Sequence, residues 1–298
     1  MNKRKLRKRL RYFKVIRKYE FQDNLFKYFA IFCTCIGVIV LGLLLFDVFN
    51  RGWARLDWDF LFNPPSRMPE RAGIYTAWIG TLWIMIMTTA IAFPIGVGAG
   101  IYLEEYNKKG RFSNILEVNI ANLAGIPSII YGLLGLELFG RILGLGASVF
   151  TGALTLALLI LPIIIVSTRE AIKAVPNTIR EASFALGASK WQTIWNQVLP
   201  ASMAGIITGV ILAISRAIGE TAPLIVVGAL MYVPFAPEGI MDSFTVLPMQ
   251  IYNWVSRPQK EFTINAASAI IILLFITFIM NGIAVFLRHK WQKKSKWN

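Results

Sequence analysis

The chain has 298 residues, 56% of them hydrophobic, and a mean hydropathy of +0.57. This composition excludes an ordinary soluble domain, whose surface needs more polar residues. The net charge of +15 would suit a nucleic-acid partner, but the positions of the charges argue against one. Two cysteines, Cys33 and Cys35, and one histidine, His289, are too few for a disulfide framework or a zinc site.

Six stretches are apolar over about the 20 residues that a helix needs to cross a bilayer. They predict an all-α integral membrane protein with six transmembrane helices, at 28–49, 77–103, 115–138, 147–168, 203–230 and 262–287. Span two contains Pro94 and span three contains Gly125-Ile126-Pro127. We expect both helices to be kinked or broken at these residues, because proline cannot donate the backbone hydrogen bond of a helix interior.

The distribution of Lys and Arg predicts that both termini are cytoplasmic. With this orientation the inside segments hold 23 of the 31 basic residues, and the outside segments hold seven. Such an excess follows the positive-inside rule. The basic run Lys3–Lys18 is therefore interpreted as a topology determinant that is attracted to anionic lipid headgroups.

These segments form a single membrane domain. Its predicted parts are a basic cytoplasmic N-terminal segment at 1–27, a first transmembrane helix at 28–49, an extracytoplasmic segment at 50–76, a membrane core at 77–287 with a cytoplasmic loop at 169–200, and a basic cytoplasmic tail at 288–298.

Span two ends on two acidic residues, Glu104 and Glu105. The simplest interpretation is a solvated helix end, with Lys108 or Arg111 as an ion-pair partner for either carboxylate. Such exposed pairs contribute little to stability, so no further role is predicted for them.

The loop at 169–200 predicts two short helices joined by a tight turn. Pro176 and Asn177 suit the start of the first helix, with Asn177 able to cap its free amide groups. Gly187 suits its left-handed end, and Ser189 suits the cap of a second helix from Lys190. Several apolar side chains of this loop cannot all be buried by two short helices. They are Phe184, Leu186, Trp191, Ile194 and Trp195. Either a docking surface for a partner or a helix pair on the membrane interface accounts for them.

The same loop resembles the EAA loop of ABC-importer permeases. That pattern is Glu-Ala-Ala, three residues, Gly, nine residues, Ile, one residue, Leu-Pro. The matching residues are Glu181, Ala182, Gly187, Leu199 and Pro200, while Ser183 and Gln197 depart from the pattern. The resemblance implies the type I importer (MetI-like) fold over 77–287. It also implies that this loop is a coupling helix seated in a cleft of a cytoplasmic ATPase, through Glu181, Ala182, Phe184, Leu186 and Gly187.

Span five carries an Arg–Glu pair, Arg216 and Glu220, which share a helix face at a spacing of four. Arg216 lies about 20 Å into the bilayer if the helix begins near 203. A charge at that depth costs at least about 2.5–3.5 kcal/mol unless it is partnered or wetted. Two interpretations remain open, a structural pair and an arginine that meets an anion in a polar pathway. Gly219 and Pro223 flank the pair and favour a broken helix that lines a cavity.

The segment 216–224 resembles the span-five signature of the PstA family of phosphate permeases. The resemblance implies that Arg216 and Glu220 take part in phosphate passage, with Thr221 as a further hydroxyl donor. It also implies a partner set: a homologous PstC-like permease subunit, two PstB-like ATPase subunits that bind ATP and magnesium, and an extracytoplasmic PstS-like phosphate-binding protein. The expected location is a bacterial or archaeal cell membrane, with no cofactor on this chain.

Several alternatives stay open at this point. A permease for another oxyanion, such as sulfate or molybdate, would share these features. An anion channel gated by span five would also need the buried charges. A membrane enzyme would have to use Glu220, Glu137 or Glu117, but the sequence offers no nucleophile–base arrangement and no phosphate-binding loop of the GxxxxGK[ST] kind. We therefore expect no catalytic residue and a transport function.

Overall fold

The computed structural model describes residues 3–107, 110–229 and 232–294, and the regular secondary structure within them is entirely helical. By contacts, the chain divides into two compact units, Met1–Arg51 and Gly52–Asn298. The α-helices are α1 (Lys3–Gly52), α2 (Trp58–Phe62), α3 (Tyr75–Ile101), α4 (Arg111–Ala124), α5 (Ser128–Gly135), α6 (Val149–Lys173), α7 (Asn177–Ala185), α8 (Lys190–Thr193), α9 (Leu199–Ile218), α10 (Ala222–Val227), α11 (Leu247–Val255) and α12 (Glu261–Lys294).

In the described part of the chain, five helices are long and apolar enough to cross a membrane. They cover Gln22–Arg55, Tyr75–Tyr106, Val149–Lys173, Lys190–Ile218 and Glu261–Lys290. A sixth span results if α4 and α5 count as one, although the two helices are bent by 103° at their junction. The bend falls at Gly125-Ile126-Pro127, which confirms the break predicted in span three.

The first unit consists of α1, a single helix that continues from the basic N-terminal region into the first apolar stretch. Its side chains between 22 and 46 are exposed. Exposed apolar side chains on a helix of this length are suited to contact with lipid, because all backbone groups are satisfied within the helix.

The core of the second unit lies around α6, which packs against α3 and α9. Ile160 and Ile164 of α6 and Ile206 of α9 belong to one buried cluster. Close approach of α3 to α6 depends on glycine: a Cβ at Gly96 would meet Ile164 Cγ2 at 2.6 Å, and one at Gly100 would meet Thr168 Cβ at 2.7 Å. Small residues at such contacts are the usual means by which membrane helices approach each other.

The break predicted for span two at Pro94 is wrong, because α3 runs without interruption from Tyr75 to Ile101 with Pro94 inside it. Membrane helices tolerate an interior proline when neighbouring helices hold the segment. The contacts of Gly96 and Gly100 with α6, just beyond the proline in the sequence, provide that support.

The segment between α1 and α3 is folded against α11 and α12. Phe60 of α2 is fully buried beside Trp254, with ring centroids 5.9 Å apart, and Trp254 in turn stacks on Phe262 at 6.2 Å. The side-chain amide of Asn265 donates to the Pro69 carbonyl at 2.8 Å. This end of the second unit is thus a packed cap with its own aromatic core.

Candidate functional site

The fifth predicted span is broken next to the charged pair. α9 ends at Ile218 with Gly219 as its C-terminal cap, and α10 begins at Ala222. Pro223 lies in the first turn of α10, where the missing N–H of proline removes no helical hydrogen bond. Glu220 and Thr221 therefore lie in the non-helical link, which confirms the broken helix but corrects the continuous span at 203–230.

The two charges of the pair differ in their surroundings. Arg216 Nε lies 3.4 Å from Glu220 Oε1, and 44% of the Arg216 side chain is exposed against 17% for Glu220. A pair this open to its surroundings contributes at most about 1 kcal/mol. The contact with Glu220 uses one of the five N–H donors of the guanidinium group, so most of its hydrogen-bonding capacity is available to another acceptor.

The broken third span lies against this link. A Cβ at Gly132 of α5 would meet Pro223 Cα and its carbonyl oxygen at 2.7 Å, so glycine allows α5 to contact the start of α10. The neighbouring Tyr131 donates its hydroxyl to the Leu123 carbonyl at 2.8 Å and so bridges the bend between α4 and α5. The two broken helices thus meet at the charged pair.

The space beside Glu220 is small. A cavity of about 10 Å³ borders this carboxylate, lined by α3, α6, α9, α10 and Val246. Such a volume is at most that of a single water. The hydroxyl of Thr221 makes no capping hydrogen bond to α10. Arg216 and Thr221 are therefore the polar groups near the link that can still donate hydrogen bonds to a ligand. Glu220, by contrast, is largely covered.

The loop at 169–200 differs from its prediction at both ends. Pro176, not Asn177, occupies the cap of α7, and no side chain caps that helix. Proline pre-organises the first turn, so no capping side chain is required there. The second helix is not short, because α8, a π turn at Ile194–Val198 and α9 form one continuous span from Lys190 to Ile218.

Two details of the loop prediction are confirmed. Gly187 adopts a φ of +82°, the left-handed conformation that favours glycine, directly after α7. Ser189 caps the next helix in a reciprocal arrangement with Gln192: the Gln192 amide donates to Ser189 Oγ at 3.3 Å, and the Ser189 amide donates to Gln192 Oε1 at 2.8 Å.

The apolar side chains of the loop differ in how exposed they are. Ile194 is buried, while the other four side chains are exposed, which confirms that the five cannot all be buried. Leu186 is 90% exposed, Phe184 is about half exposed, and Glu181 and Ala182 are exposed on the same helix. Trp191 and Trp195 are also exposed, and their rings stack 5.5 Å apart.

A groove of about 660 Å³ lies between α7 and the helix that begins at Lys190. Its lining is mostly apolar and is formed by Ile179, Ala182, Ser183, Leu186, Ala188, Gln192, Asn196, Gln197 and Ala201. The groove contains Gln197, the residue that departs from the EAA pattern. An apolar concave surface of this size next to the exposed Leu186 suits a protein partner.

Sequence reasoning did not find the partners of the acidic residues after α3. Glu105 pairs with Arg180 of α7 at 2.8 Å, and Glu104 lies 3.6 Å from Arg169 of α6. The prediction of a solvated helix end is therefore wrong for Glu105, whose side chain is only 10% exposed. Lys108, one of the partners considered, lies outside the described residues. The pairs join positions 65 or more apart in the chain, and no local pattern signals them.

Multiple apolar helices long enough to span a membrane, a broken helix beside an Arg–Glu pair, and a helix pair with an exposed apolar tip are the features of a membrane transport subunit. The chain belongs to the family described as "Binding-protein-dependent transport system inner membrane component", which matches residues 92–293. Proteins of this family operate with a separate ATPase and a substrate-binding protein, and the permease subunit itself is not an enzyme.

The chain is also similar to individual proteins and to a solved structure. The chain is 35% identical over 256 residues to "Phosphate transport system permease protein PstA" of Haemophilus influenzae, covering 86% of this chain and 90% of the relative. It is 34% identical over 262 residues to "Phosphate transport system permease protein PstA 1" of Mycobacterium tuberculosis, covering 85% and 84%. Its fold matches a chain of the inward-facing MetNI methionine ABC transporter with a TM-score of 0.57 at 18% identity, covering 71% and 94%. The type I importer fold is thereby confirmed.

Proposed function

We propose that the chain is the PstA-type permease subunit of an ATP-driven importer of inorganic phosphate. The observation that carries this proposal is the similarity, over most of both chains, to proteins named as phosphate permeases. The position of Arg216 at a helix break, where it is 44% exposed, is consistent with an anion as the transported substrate. Sulfate or molybdate is the competing choice, because both are oxyanions that an arginine also binds.

Arg216 is the proposed contact for the transported anion. A guanidinium group donates paired hydrogen bonds to phosphate oxygens, and these are stronger than neutral hydrogen bonds. Glu220 keeps the arginine in place through the 3.4 Å contact and reduces its net charge, so that the anion can leave again. Thr221 is a second donor, since its hydroxyl does not cap α10. The cavity of about 10 Å³ beside Glu220 implies that phosphate enters only when the helices separate.

The coupling site is proposed to be α7 and the turn that follows it. Glu181, Ala182, Phe184, Leu186 and Gly187 would contact a cleft of the ATPase, with the 90% exposed Leu186 as the apolar anchor. Exposed apolar side chains at the end of a short helix fit a helix-in-groove contact.

The proposed complex contains a PstC-like permease subunit, two PstB-like ATPase subunits with ATP and magnesium, and a PstS-like phosphate-binding protein. Both termini would be cytoplasmic in a bacterial or archaeal cell membrane, following the excess of basic residues in 1–27 and 288–298. The segment at 50–76 would then face the binding protein. The core at 77–287 would carry the pathway.

The test is ATP-dependent uptake of labelled phosphate into proteoliposomes that hold the assembled complex, for the wild type and for Arg216→Gln. Unlabelled sulfate and molybdate are added as competitors. The expected result is uptake by the wild type that excess sulfate does not reduce, and loss of uptake in Arg216→Gln with the complex still assembled.

Other outcomes identify the alternatives. Uptake of sulfate or molybdate in place of phosphate would show that the substrate is another oxyanion, while the assignment as an ATP-driven importer would stand. Uptake without ATP would favour an anion channel. Full phosphate uptake by Arg216→Gln would reduce the charged pair to a structural feature of α9.

A further inference from the structure

A covered ion pair joins α7 to the end of α3. Arg180 of α7 places Nε at 3.0 Å and Nη2 at 2.8 Å from Glu105 Oε1, so two N–H groups donate to one carboxylate oxygen. The side chains are 16% and 10% exposed, respectively. This burial distinguishes the pair from Arg216–Glu220 and from the exposed Arg141–Glu137.

Arg180 also holds the end of α6. Its Nη1 donates to the Val175 carbonyl at 2.8 Å, and its Nη2 donates to the Ile172 carbonyl at 3.1 Å. Ile172 lies in the last turn of α6, and Val175 lies just beyond its end. One guanidinium group therefore connects the start of α7, the end of α6 and the end of α3.

A second pair supports the same junction from α6. Arg169 Nη2 lies 2.7 Å from Glu117 of α4 and 3.6 Å from Glu104, the neighbour of Glu105. Glu104 and Glu105 both belong to the π turn Tyr102–Tyr106 that ends α3. The end of α3 is thus held by one arginine from α7 and one from α6.

The other end of α3 borders the transport site. Thr81, Ile84 and Met85 of α3 line the small cavity beside Glu220. About 20 residues separate Met85 from Glu105, or roughly 30 Å of helix. α3 and the π turn that continues it to Tyr106 cross this distance without a break, despite Pro94. A continuous helix moves as one body, so a displacement applied at Glu105 reaches the wall of the Glu220 cavity.

We propose that the Arg180–Glu105 pair is the joint through which movement of α7 is passed to α3 and, along α3, to the transport site. This inference rests on the proposed coupling of α7 to an ATPase. Both residues act as positioning residues, since neither touches the anion. Coupling between distant sites is carried by such rigid elements when both ends bias them.

Removing one charge alone leaves the other covered and unpaired, which destabilises a protein for reasons unrelated to coupling. The test variant is therefore the double substitution Glu105→Gln/Arg180→Gln, in which neither charge remains and the two amides can still hydrogen-bond. The matched control is Glu137→Gln/Arg141→Gln, which neutralises an exposed pair with a similar N–O distance of 2.9 Å. Phosphate uptake and ATP hydrolysis are measured together in proteoliposomes of the assembled complex.

The expected result for the test variant is ATP hydrolysis with the phosphate transported per ATP lowered by about 5- to 150-fold, the range of ordinary coupling free energies. The control should keep the wild-type ratio. An unchanged ratio in the test variant would overturn the proposal and leave the pair a purely structural contact. Failure of the wild type to take up phosphate would count against the proposed substrate instead, and the ratio would then be measured with the oxyanion that is transported.

A second measurement leaves the pair intact. Spin labels replace the exposed Tyr102 and Thr178, which lie at the end of α3 and on α7. If the joint is rigid, the distance between these labels stays the same in the nucleotide-free and ATP-bound complex. A change in this distance on ATP binding would overturn the proposal even if the double variant fails to assemble.

Discussion

Two Arg–Glu pairs with similar chemistry occupy opposite situations in this chain. Arg180 and Glu105 are 75 positions apart, belong to different helices, and are both covered. Arg216 and Glu220 are four positions apart, and the arginine is 44% exposed. The first pair exists because tertiary structure brings two helices together, whereas the second follows from helix geometry. A covered ion pair is therefore suited to transmit movement between two helices, whereas a half-exposed arginine is suited to bind an anion.

The largest effect is expected from Glu105→Ala. It should lower the free energy of unfolding by about 3–5 kcal/mol, because the covered Arg180 charge loses its partner. Urea unfolding of the detergent-solubilised chain measures this quantity. The matched change Glu220→Ala should lower it by less than about 1 kcal/mol, since Arg216 is open to its surroundings. Equal losses in the two variants would contradict the comparison.

A smaller effect is expected from Gly100→Ala, near the covered pair. Its Cβ would lie 2.7 Å from Thr168 Cβ and 3.1 Å from the Ile165 carbonyl oxygen, so overpacking should destabilise the chain by about 1–3 kcal/mol. The same urea titration measures it.

Two other glycines provide the controls for this change. Gly98→Ala has open space and should stabilise α3 by about 0.5–1 kcal/mol. Gly219→Ala, at the break near Arg216, should be nearly neutral, because the nearest atom is 4.0 Å away and the φ is −93°. A destabilised Gly98→Ala would show that contact with α6 is not the cause.

Ser189→Ala tests the start of the helix that carries Arg216. Loss of the cap to the Gln192 amide should lower the free energy of unfolding by about 1 kcal/mol. Asn177→Ala, in which no capping hydrogen bond is lost, is the control and should have a smaller effect. Thermal unfolding followed by circular dichroism measures the loss of stability in both variants. A larger loss in Asn177→Ala than in Ser189→Ala would contradict the assignment of the cap to Ser189.

The smallest effect on stability is expected from Arg216→Gln, although uptake should be lost. An exposed i,i+4 pair contributes about 0–1 kcal/mol, so unfolding should barely change. Arg216→Lys sharpens the test, because it keeps the charge but not the planar fork that binds two phosphate oxygens. Full uptake by the lysine variant would indicate that charge alone is sufficient.

Most features that depend on residues close together in the sequence were predicted correctly. The left-handed Gly187, the cap at Ser189, the break at Gly125-Ile126-Pro127 and the link around Glu220 follow from short-range rules, and all were predicted correctly. The Pro94 break and the Asn177 cap were wrong. In the first case packing against α6 maintains the helix, and in the second the neighbouring Pro176 takes the cap position.

Features that require two distant parts of the chain could not be predicted. The solvated end expected at Glu105 became a covered ion pair because α7 folds back onto α3. Likewise, the sequence indicated that the five apolar side chains of the loop cannot all be buried, but not that Ile194, at the π turn, is the one that is buried. Hydrophobic pattern indicates which side chains need burial, yet contact partners depend on how the helices pack.

By itself, the sequence determined that this chain is a membrane protein with about six spans, an EAA-type loop and an Arg–Glu pair beside a helix break. Composition, helical period and the chemistry of proline and glycine are sufficient for those features, because each acts within a few residues. Only the tertiary structure decided that α3 reaches unbroken from Glu105 to the cavity at Glu220 and that Arg180 holds one of its ends. Charges 75 positions apart meet only when the intervening helices have packed, and no local rule contains that information.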